Sequence, residues 1–231
     1  MSLAGIWETG YDSIKDDPAQ KHYKSVICEC RKVPGSYLDN MESVFIPNDQ
    51  FMLDVFGSEI LEYGCYFDGS CYWNNSIIFP ITDVLGTTCG FVGFNPFKYT
   101  SGENDYYTYS PKSVCVKSNF LYLPGKKLDV KRPLFIVDGV WDAIALHAHG
   151  FQAGACMGSV TSEILTMLLR ACKKVIVCPD NDEPGTKLLY RIRKRVPEIG
   201  VCRQAWGKDV DEALKTNHEL MLAELSKASM S

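Results

Sequence analysis

The sequence predicts an α/β protein in which a mostly parallel sheet with flanking helices follows a smaller α+β part that contains an antiparallel hairpin. Downstream of about residue 131, short continuous apolar segments alternate with segments of helical periodicity, which indicates parallel strands covered on both faces. Upstream, short apolar segments are separated by turn residues in a stretch rich in Tyr, Phe, Asn, Ser and Gly. We therefore expect two subdomains, residues 1–130 and residues 131–231.

In the upstream part, apolar spacing predicts a helix at Phe51–Tyr63. Two strands, Tyr72–Ile81 and Thr87–Phe94, flank a turn at Asp83–Gly86 and are expected to form the hairpin. The polar, tyrosine-rich stretch Thr100–Tyr109 is expected to be a loop.

In the downstream part, strands and helices are predicted to alternate. The strands are expected at Pro133–Val137, Gln152–Cys156, Lys174–Cys178 and Val201–Trp206. The helices are expected at Trp141–His149, from Gly158–Thr161 to about Ala171, at Gly185–Val196, and from Asp209 to about Leu225. Ser159 or Thr161 is expected to cap the second of these helices.

Composition limits the classes of function. The chain has 231 residues, of which 46% are hydrophobic and 23% charged, as in an ordinary globular protein with its own core. Its apolar runs are too short to span a membrane, and its N-terminus lacks the pattern of a secretory signal. The net charge of −4 argues against a general electrostatic hold on nucleic acid, so any such contact must be local.

The ten cysteines have two explanations. The close pairs, Cys28 with Cys30 and Cys65 with Cys71, lack the two-residue gap that zinc ribbons favour, and several other cysteines lie in apolar segments. We therefore expect reduced, buried thiols and no zinc. A zinc site built from the four cysteines of the close pairs is the alternative.

Acidic residues follow three of the predicted strands. Asp138 and Asp142 come after the first strand, Asp180 and Asp182 after the third, and Asp209 after the last. Because ligands of open parallel sheets gather beyond the carboxyl ends of the strands, we expect these side chains to lie close together. Carboxylate oxygens are the ligands that Mg²⁺ prefers, and one or two carboxylates per ion suffice. The pattern predicts a site for two or more Mg²⁺ or Mn²⁺ ions in phosphoryl transfer on nucleic acid.

Two glycines support this prediction. Gly139 permits a tight turn and the close approach of a phosphate, and Gly185 allows a sharp entry into the following helix, whose first amides favour an anion. Each motif alone also has a plain structural explanation, since Asp-x-Asp is common in surface loops and acidic runs often open helices. Their order at successive strand ends favours function.

The downstream part resembles the TOPRIM fold, which is shared by DnaG-type primases, type IA and type II topoisomerases, and some nucleases and recombination proteins. The resemblance covers roughly residues 131–214, and the residues that carry it are Phe135–Leu146, Met157–Ser159, Val175–Gly185 and Lys208–Glu212. The family pattern has a glutamate–glycine turn after its first strand and Asp-x-Asp after its third. In this chain the acid of that turn is Asp138.

Upstream segments resemble the primases in particular. Trp73–Phe91 is similar to their strand pair, and Tyr107–Pro111, followed by Lys117 and Leu121-Tyr122, is similar to their stretch of Asn-Ser-Pro, Lys and Leu-Tyr. A family lysine before that stretch is Tyr106 in this chain.

The resemblance implies the RNA polymerase core of a bacterial or phage primase, which joins ribonucleoside triphosphates into primers on a single-stranded DNA template. It implies catalytic roles for Asp138 and Lys117, metal ligation by Asp138, Asp180 and Asp182 with support from Asp142 and Asp209, and nucleotide or nucleic-acid contacts by Lys117, Lys98, Gly139 and Gly158. A replicative helicase or a separate zinc-binding module would supply template recognition. The location implied is the bacterial cytoplasm or that of a phage-infected host, with no membrane partner.

Two other functions remain open: a TOPRIM nuclease or strand-processing enzyme, and a catalytically attenuated primase-like module that binds replisome partners. The role of the tyrosines is open as well. Tyr106, Tyr107 and Tyr109 either stack on bases or take part in ordinary packing.

Overall fold

The computed structural model describes residues 66–68, 73, 76–83, 85–95, 98–99, 101–113, 115–125, 127–157 and 162–230. The predicted helix Phe51–Tyr63, the four cysteines of the alternative zinc site, and Gly158 lie outside these residues. The chain divides into two compact units, of which one includes Cys89–Cys115 and the other combines Ile81–Thr88 with Val116–Ser231. The division near residue 116 lies upstream of the predicted boundary at residue 131.

An antiparallel sheet has the strand order β1-β2-β3-β4. Its strands are β1 (Tyr66–Asp68), β2 (Ser76–Thr82), β3 (Thr88–Phe94) and β4 (Tyr107–Tyr109). The hairpin predicted from the sequence is formed by β2 and β3, and its turn is closed by Asp83, whose Oδ1 accepts from the amides of Leu85 and Thr87 at 2.8 and 2.9 Å.

The expectation of a loop throughout Thr100–Tyr109 is wrong at its end. Tyr107 pairs with Phe94, and Tyr109 pairs with Val92, so the last three residues form β4. Aromatic and β-branched residues favour strands, and here the neighbouring backbone of β3 supplies the hydrogen bonds that a loop would take from water.

The second sheet is parallel and has the strand order β6-β5-β7-β8. Its strands are β5 (Leu134–Val137), β6 (Ala153–Ala155), β7 (Val175–Val177) and β8 (Gly200–Val201). Every residue of the first three strands is buried, as expected when helices cover both faces. The predicted strand Val201–Trp206 is largely wrong, because pairing with β7 is confined to β8.

Five helices accompany the strands of the parallel sheet within the described residues. They are α1 (Val140–Ala148), α2 (Glu163–Ala171), α3 (Glu183–Arg195), α4 (Val210–Thr216) and α5 (His218–Met230), and a 3-10 turn lies at Lys117–Asn119. The cap of α2 is Ser162, whose hydroxyl accepts from the amide of Leu165 at 3.0 Å, and not Ser159 or Thr161. The helix expected from Asp209 to Leu225 is two helices, which separate at Asn217.

The core of the second unit lies between the parallel sheet and the pair α2 and α3. Ile136 and Val177 from the sheet pack with Leu165 of α2 and Ile192 of α3. Burying one such side chain contributes about 1.5–3 kcal/mol. Of the six described cysteines, all free thiols, Cys89 is half-buried and the others are buried, as predicted: Cys115, Cys156, Cys172, Cys178 and Cys202. Within the described part of the chain, no helix combines the length and apolarity that a bilayer crossing requires.

Candidate active site

The order of the parallel strands places a topological switch point between β5 and β7. From β5 the chain passes through α1 to β6 on one side, and from β6 it passes through α2 to β7 on the other side of β5. Neighbouring strands whose connections leave in opposite directions leave a gap beyond their carboxyl ends, which is the usual ligand site of open α/β sheets. Asp138 directly follows β5, and Asp180 follows β7 after two residues.

The carboxyl of Asp180 interacts electrostatically with four other charged residues of the cluster. Burial is the largest cause that raises its pKa, to about 6. The carboxylates that raise this pKa further are those of Asp209, Asp138 and Asp182, whereas Lys208 lowers it. The acids predicted at three separate strand ends therefore interact with one another. This finding agrees with the prediction that they gather at one place.

Asp142 is the most deeply buried acid of the cluster, with 7% of its surface exposed. Burial raises its pKa well above the usual range, and the carboxylates of Asp209 and Asp180 add to the effect. One partner opposes them: the amide of Asp211 donates to Oδ1 of Asp142 at 3.1 Å. A Cβ on Gly139 would lie 2.8 Å from Oδ2 of Asp142, so the side chain of Asp142 folds back over a residue that must be small.

Asp182 and Asp209 each cap a helix at this edge of the sheet. Oδ1 of Asp182 accepts from the amide of Gly185 at 2.8 Å, and Oδ1 of Asp209 accepts from the amide of Glu212 at 2.9 Å. Such caps contribute about 1 kcal/mol and fix the direction of the carboxylate. Both acids thus hold their positions through the backbone of the helices α3 and α4.

Lys208 is a cation of this site whose role the sequence did not reveal. Its Nζ lies 3.6 Å from Oδ2 of Asp182, and its side chain is 63% exposed. Burial alone would lower the pKa of Lys208, but the surrounding carboxylates, Asp182 first, outweigh it and raise that pKa. Lys208 therefore stays charged and balances part of the negative charge.

Asn181 and Gln204 join the two acidic loops, and this role was also missed. The Nδ2 of Asn181 donates to the carbonyls of Gln204 and Gly207 at 2.9 and 2.8 Å. The Nε2 of Gln204 donates to the carbonyls of Pro179 and Lys208 at 3.0 and 3.1 Å, and Gln204 is 2% exposed. These bonds tie the loop that carries Asp180 and Asp182 to the loop that carries Asp209. Nothing in the local sequence around Gln204 indicated this pairing, which depends on the fold.

Gly185 was expected to allow a sharp entry into the helix, but the structure leaves no room for a side chain at this position. It lies in the first turn of α3, where a Cβ would be 2.6 Å from the backbone nitrogen of Asp180. The absence of a side chain therefore lets the loop with Asp180 lie directly on the helix.

Two of the predicted lysines lie on elements other than the acidic loops. Lys117 lies in the 3-10 turn and is half-buried, and it is not among the charges that shift the pKa of Asp180. Lys98 belongs to the other unit, where its Nζ lies 2.6 Å from Asp105 and 3.8 Å from Glu103. The contacts with nucleotide or nucleic acid predicted for these lysines stay predictions.

The chemistry of the cluster fits a divalent cation. Its donors are carboxylate oxygens, which suit Mg²⁺ and Mn²⁺. The pKa of Asp180 is raised first by burial and then by neighbouring carboxylates, and a bound cation would favour its charged form against both. Among the described residues, no group of three His, Cys, Asp or Glu side chains is already arranged to hold a metal ion. Mg²⁺ keeps several waters and needs few protein ligands, so Asp138, Asp180 and Asp182 remain the predicted ligands.

Comparisons with known proteins support this fold. A family model described as Toprim-like matches residues 135–214. A DNA primase from Rickettsia felis is 34% identical over 167 residues, which is 66% of this chain and 27% of that protein. A DNA primase from Haemophilus influenzae is 31% identical over 145 residues, 57% of this chain and 23% of that protein. The chain thus spans about a quarter of the length of these curated relatives.

The fold is also found in solved structures. One is described as the DnaG primase catalytic domain bound to ssDNA; it covers 82% of this chain and 62% of its own chain, with a TM-score of 0.54 and 22% identity. At this level of identity, the likeness establishes the shared fold.

Proposed function

We propose that this chain carries a TOPRIM domain of the DnaG primase type and is a primer-synthesising core, which joins ribonucleoside triphosphates on single-stranded DNA by metal-dependent nucleotidyl transfer. The observation that supports this proposal is the set of mutually interacting carboxylates around Asp180, beyond the carboxyl ends of β5 and β7. Nucleotidyl transfer depends on positioning and on stabilising charge, which such a site supplies.

The residues divide these tasks. Asp138, Asp180 and Asp182 would hold the cations, which supply charge stabilisation at the phosphate when bound. Asp142 and Asp209 would support them, since both interact with Asp180 or with each other. Lys208 is placed to orient a phosphate that approaches the carboxylates. Lys117 would contact the nucleotide or the primer, as the resemblance implies.

The partners follow from the same proposal. The template would be single-stranded DNA, and a helicase or a separate zinc-binding module would supply its recognition. The likeness to a primase domain bound to ssDNA supports the first of these partners. The reaction would take place in a bacterial cytoplasm or in that of a phage-infected host.

Primer synthesis on a single-stranded template with Mg²⁺ or Mn²⁺ tests the activity. We expect labelled ribonucleotides to be joined by the wild-type chain, and a loss of at least a hundredfold in the double variant Asp180→Ala, Asp182→Ala. Glu198→Ala is the matched control, because Glu198 is exposed and lies outside the cluster. Synthesis that survives the double substitution would refute the proposal.

A catalytically attenuated interaction module is the second candidate. It is favoured by Asp138, whose carboxylate is one methylene shorter than the glutamate of the family pattern, and by the lack of a ready-made metal group in the described residues. A calorimetric titration with Mn²⁺ distinguishes the enzyme from the interaction module. Binding that Asp180→Ala abolishes favours the enzyme, whereas a chain that binds no Mn²⁺ at millimolar concentration is a module. Cleavage of DNA without nucleotides would instead identify a nuclease.

A further inference from the structure

The two oxygens of the Asp182 carboxylate have different partners. Oδ1 accepts from the amide of Gly185 at 2.8 Å and thereby caps the helix α3. The other oxygen, Oδ2, faces the ammonium of Lys208, whose Nζ lies 3.6 Å away. An ion that binds Asp182 through Oδ2 therefore meets a positive charge that is already there.

The ammonium of Lys208 acts on the cluster as a whole and not on Asp182 alone. It lowers the pKa of Asp180, which burial and three neighbouring carboxylates raise. The described charges that act on Asp180 are thus three carboxylates and this one ammonium. The ammonium makes, more weakly, the electrostatic interactions that a divalent ion would make with the same carboxylates.

The backbone of Lys208 is fixed, whereas its side chain is free to move. Its amide donates to Oε2 of Glu212 at 2.6 Å, and its carbonyl accepts from the amide of Asn181 at 2.7 Å and from Nε2 of Gln204 at 3.1 Å. The side chain is 63% exposed, and its ion pair with Asp182 is longer than a charge-assisted hydrogen bond. Exposed pairs of this kind contribute little to stability, so the ammonium leaves Asp182 at little cost, and the fixed backbone keeps it near the site.

We infer that the ammonium of Lys208 competes with the divalent ion: it pairs with Oδ2 of Asp182 in the metal-free chain, and the ion displaces it on binding. This inference rests on the proposed function in that the ion is the one assigned there to Asp138, Asp180 and Asp182. It adds that Lys208 lowers the affinity of the site for that ion. It also adds that the ammonium, once displaced, is available to the phosphate that Lys208 is proposed to orient.

The test is a calorimetric titration of the full chain with Mn²⁺, without DNA or nucleotide. Lys208→Met keeps an unbranched apolar side chain and removes the ammonium. We expect it to bind Mn²⁺ about 3- to 30-fold more tightly than the wild type, because an ammonium and a divalent ion a few Å apart repel each other even in water, and salt screens part of this repulsion. Damage to the fold would weaken binding, so a gain in affinity separates competition from a structural role.

Lys187→Met is the matched control, because it also removes one exposed lysine. The ammonium of Lys187 pairs with Glu183 at 2.7 Å within α3, its side chain is 58% exposed, and it is not among the charges that act on Asp180. Its affinity for Mn²⁺ should stay within about twofold of the wild type, since solvent and salt screen a charge in this position. Lys208→Arg keeps the charge, and its affinity should stay within about threefold of the wild type.

Urea unfolding gives a second measurement of the same competition. An ion that binds only the native state raises the urea midpoint by an amount that grows with its affinity. The same concentration of Mn²⁺ should therefore raise the midpoint of Lys208→Met more than that of the wild type, with EDTA as the metal-free reference for each.

Four results would overturn the inference. Lys208→Met binds Mn²⁺ no more tightly than the wild type, Lys187→Met gains as much as Lys208→Met, Lys208→Arg gains as much as Lys208→Met, or neither the wild type nor Lys208→Met binds the ion. Because DNA and nucleotide are absent, failure of this inference is distinct from failure of the proposed function. Tighter binding by Lys208→Met in a chain that makes no primers would support the competition and refute primer synthesis, whereas equal binding in a chain that makes primers would do the reverse.

Discussion

Replacing Asp180 by Asn should make the metal-free chain more stable while it destroys activity. The substitution keeps the shape of the side chain but removes a charge that burial and three neighbouring carboxylates disfavour. At pH 8 that charge is fully present, so its removal relieves both the desolvation and the repulsion. A residue kept for function rather than for stability is expected to behave in this way.

The magnitude follows from the pKa of Asp180, which burial and its neighbours raise to about 6. One pKa unit corresponds to about 1.4 kcal/mol, so the shift from the usual value has an upper limit of about 3 kcal/mol. The side chain is only part-buried, and solvent screens its charge, so we expect a gain of about 1–2 kcal/mol in the free energy of unfolding.

The dependence on pH has a definite sign. The native state binds the Asp180 proton more tightly than the unfolded chain does, so stability falls as the pH rises from about 4 to about 6, and the loss is complete above that range. The advantage of Asp180→Asn should therefore be largest at pH 8 and should shrink toward zero near pH 4.

Urea unfolding in EDTA, followed by circular dichroism, measures the difference at several pH values. Glu198→Gln is the control, because this exposed carboxylate should change stability by less than about 0.5 kcal/mol. The reasoning is refuted if Asp180→Asn is no more stable than the wild type at pH 8. It is also refuted if the difference stays constant down to pH 4.

Substitutions at three further positions examine the site. Gly185→Ala should cost about 1–3 kcal/mol in urea unfolding, because the new Cβ meets the backbone of Asp180; an unchanged midpoint would contradict this. Gln204→Leu should lower the free energy of unfolding by about 2 kcal/mol. It should also speed hydrogen exchange of the backbone amide of Asn181, which donates to the carbonyl of Lys208 at 2.7 Å. Unchanged exchange would show that Gln204 does not hold the two loops together. Asp138→Asn should lower primer synthesis about 10²–10³-fold, whereas Asp138→Glu should stay within about tenfold of the wild type, and equal activity of the Asn variant would exclude Asp138 from the site.

The sequence predicted the parallel sheet because its strands are buried on both faces and therefore read as continuous apolar runs. It did not predict β4, because Tyr107 and Tyr109 follow a run of polar residues and their strand partner lies outside the local pattern. The break at Asn217 was missed for a similar reason. The apolar spacing continues through it, whereas the backbone of Asn217 leaves the helical conformation, with φ −142° and ψ 65°.

At the site, the acidic residues could be predicted from the sequence, whereas the residues that hold them in place could be recognised only in the fold. Acidic residues after strands are visible in the sequence, and the rule for carboxyl ends of parallel strands brings them together. Lys208 and Gln204 were not recognised, because their partners, Asp182 and the carbonyl of Pro179, are 25 or more residues away in the chain. Contacts of this kind depend on which strands are neighbours, and apolar periodicity does not contain that information.

The supports explain how carboxylates that repel one another stay in one place. Repulsion would move the loop with Asp180 away from the loop with Asp209, but Asn181 and Gln204 join the two through backbone carbonyls, which carry no charge and are insensitive to pH and salt. The helix caps of Asp182 and Asp209 act in the same direction, since each uses a carboxylate oxygen to bind an amide. Hydrogen bonds to backbone groups therefore keep the two acidic loops together, and one lysine, Lys208, offsets part of their negative charge. Such preorganisation is what a site for phosphoryl transfer requires, because the cost of gathering the charges is met in folding and not during the reaction.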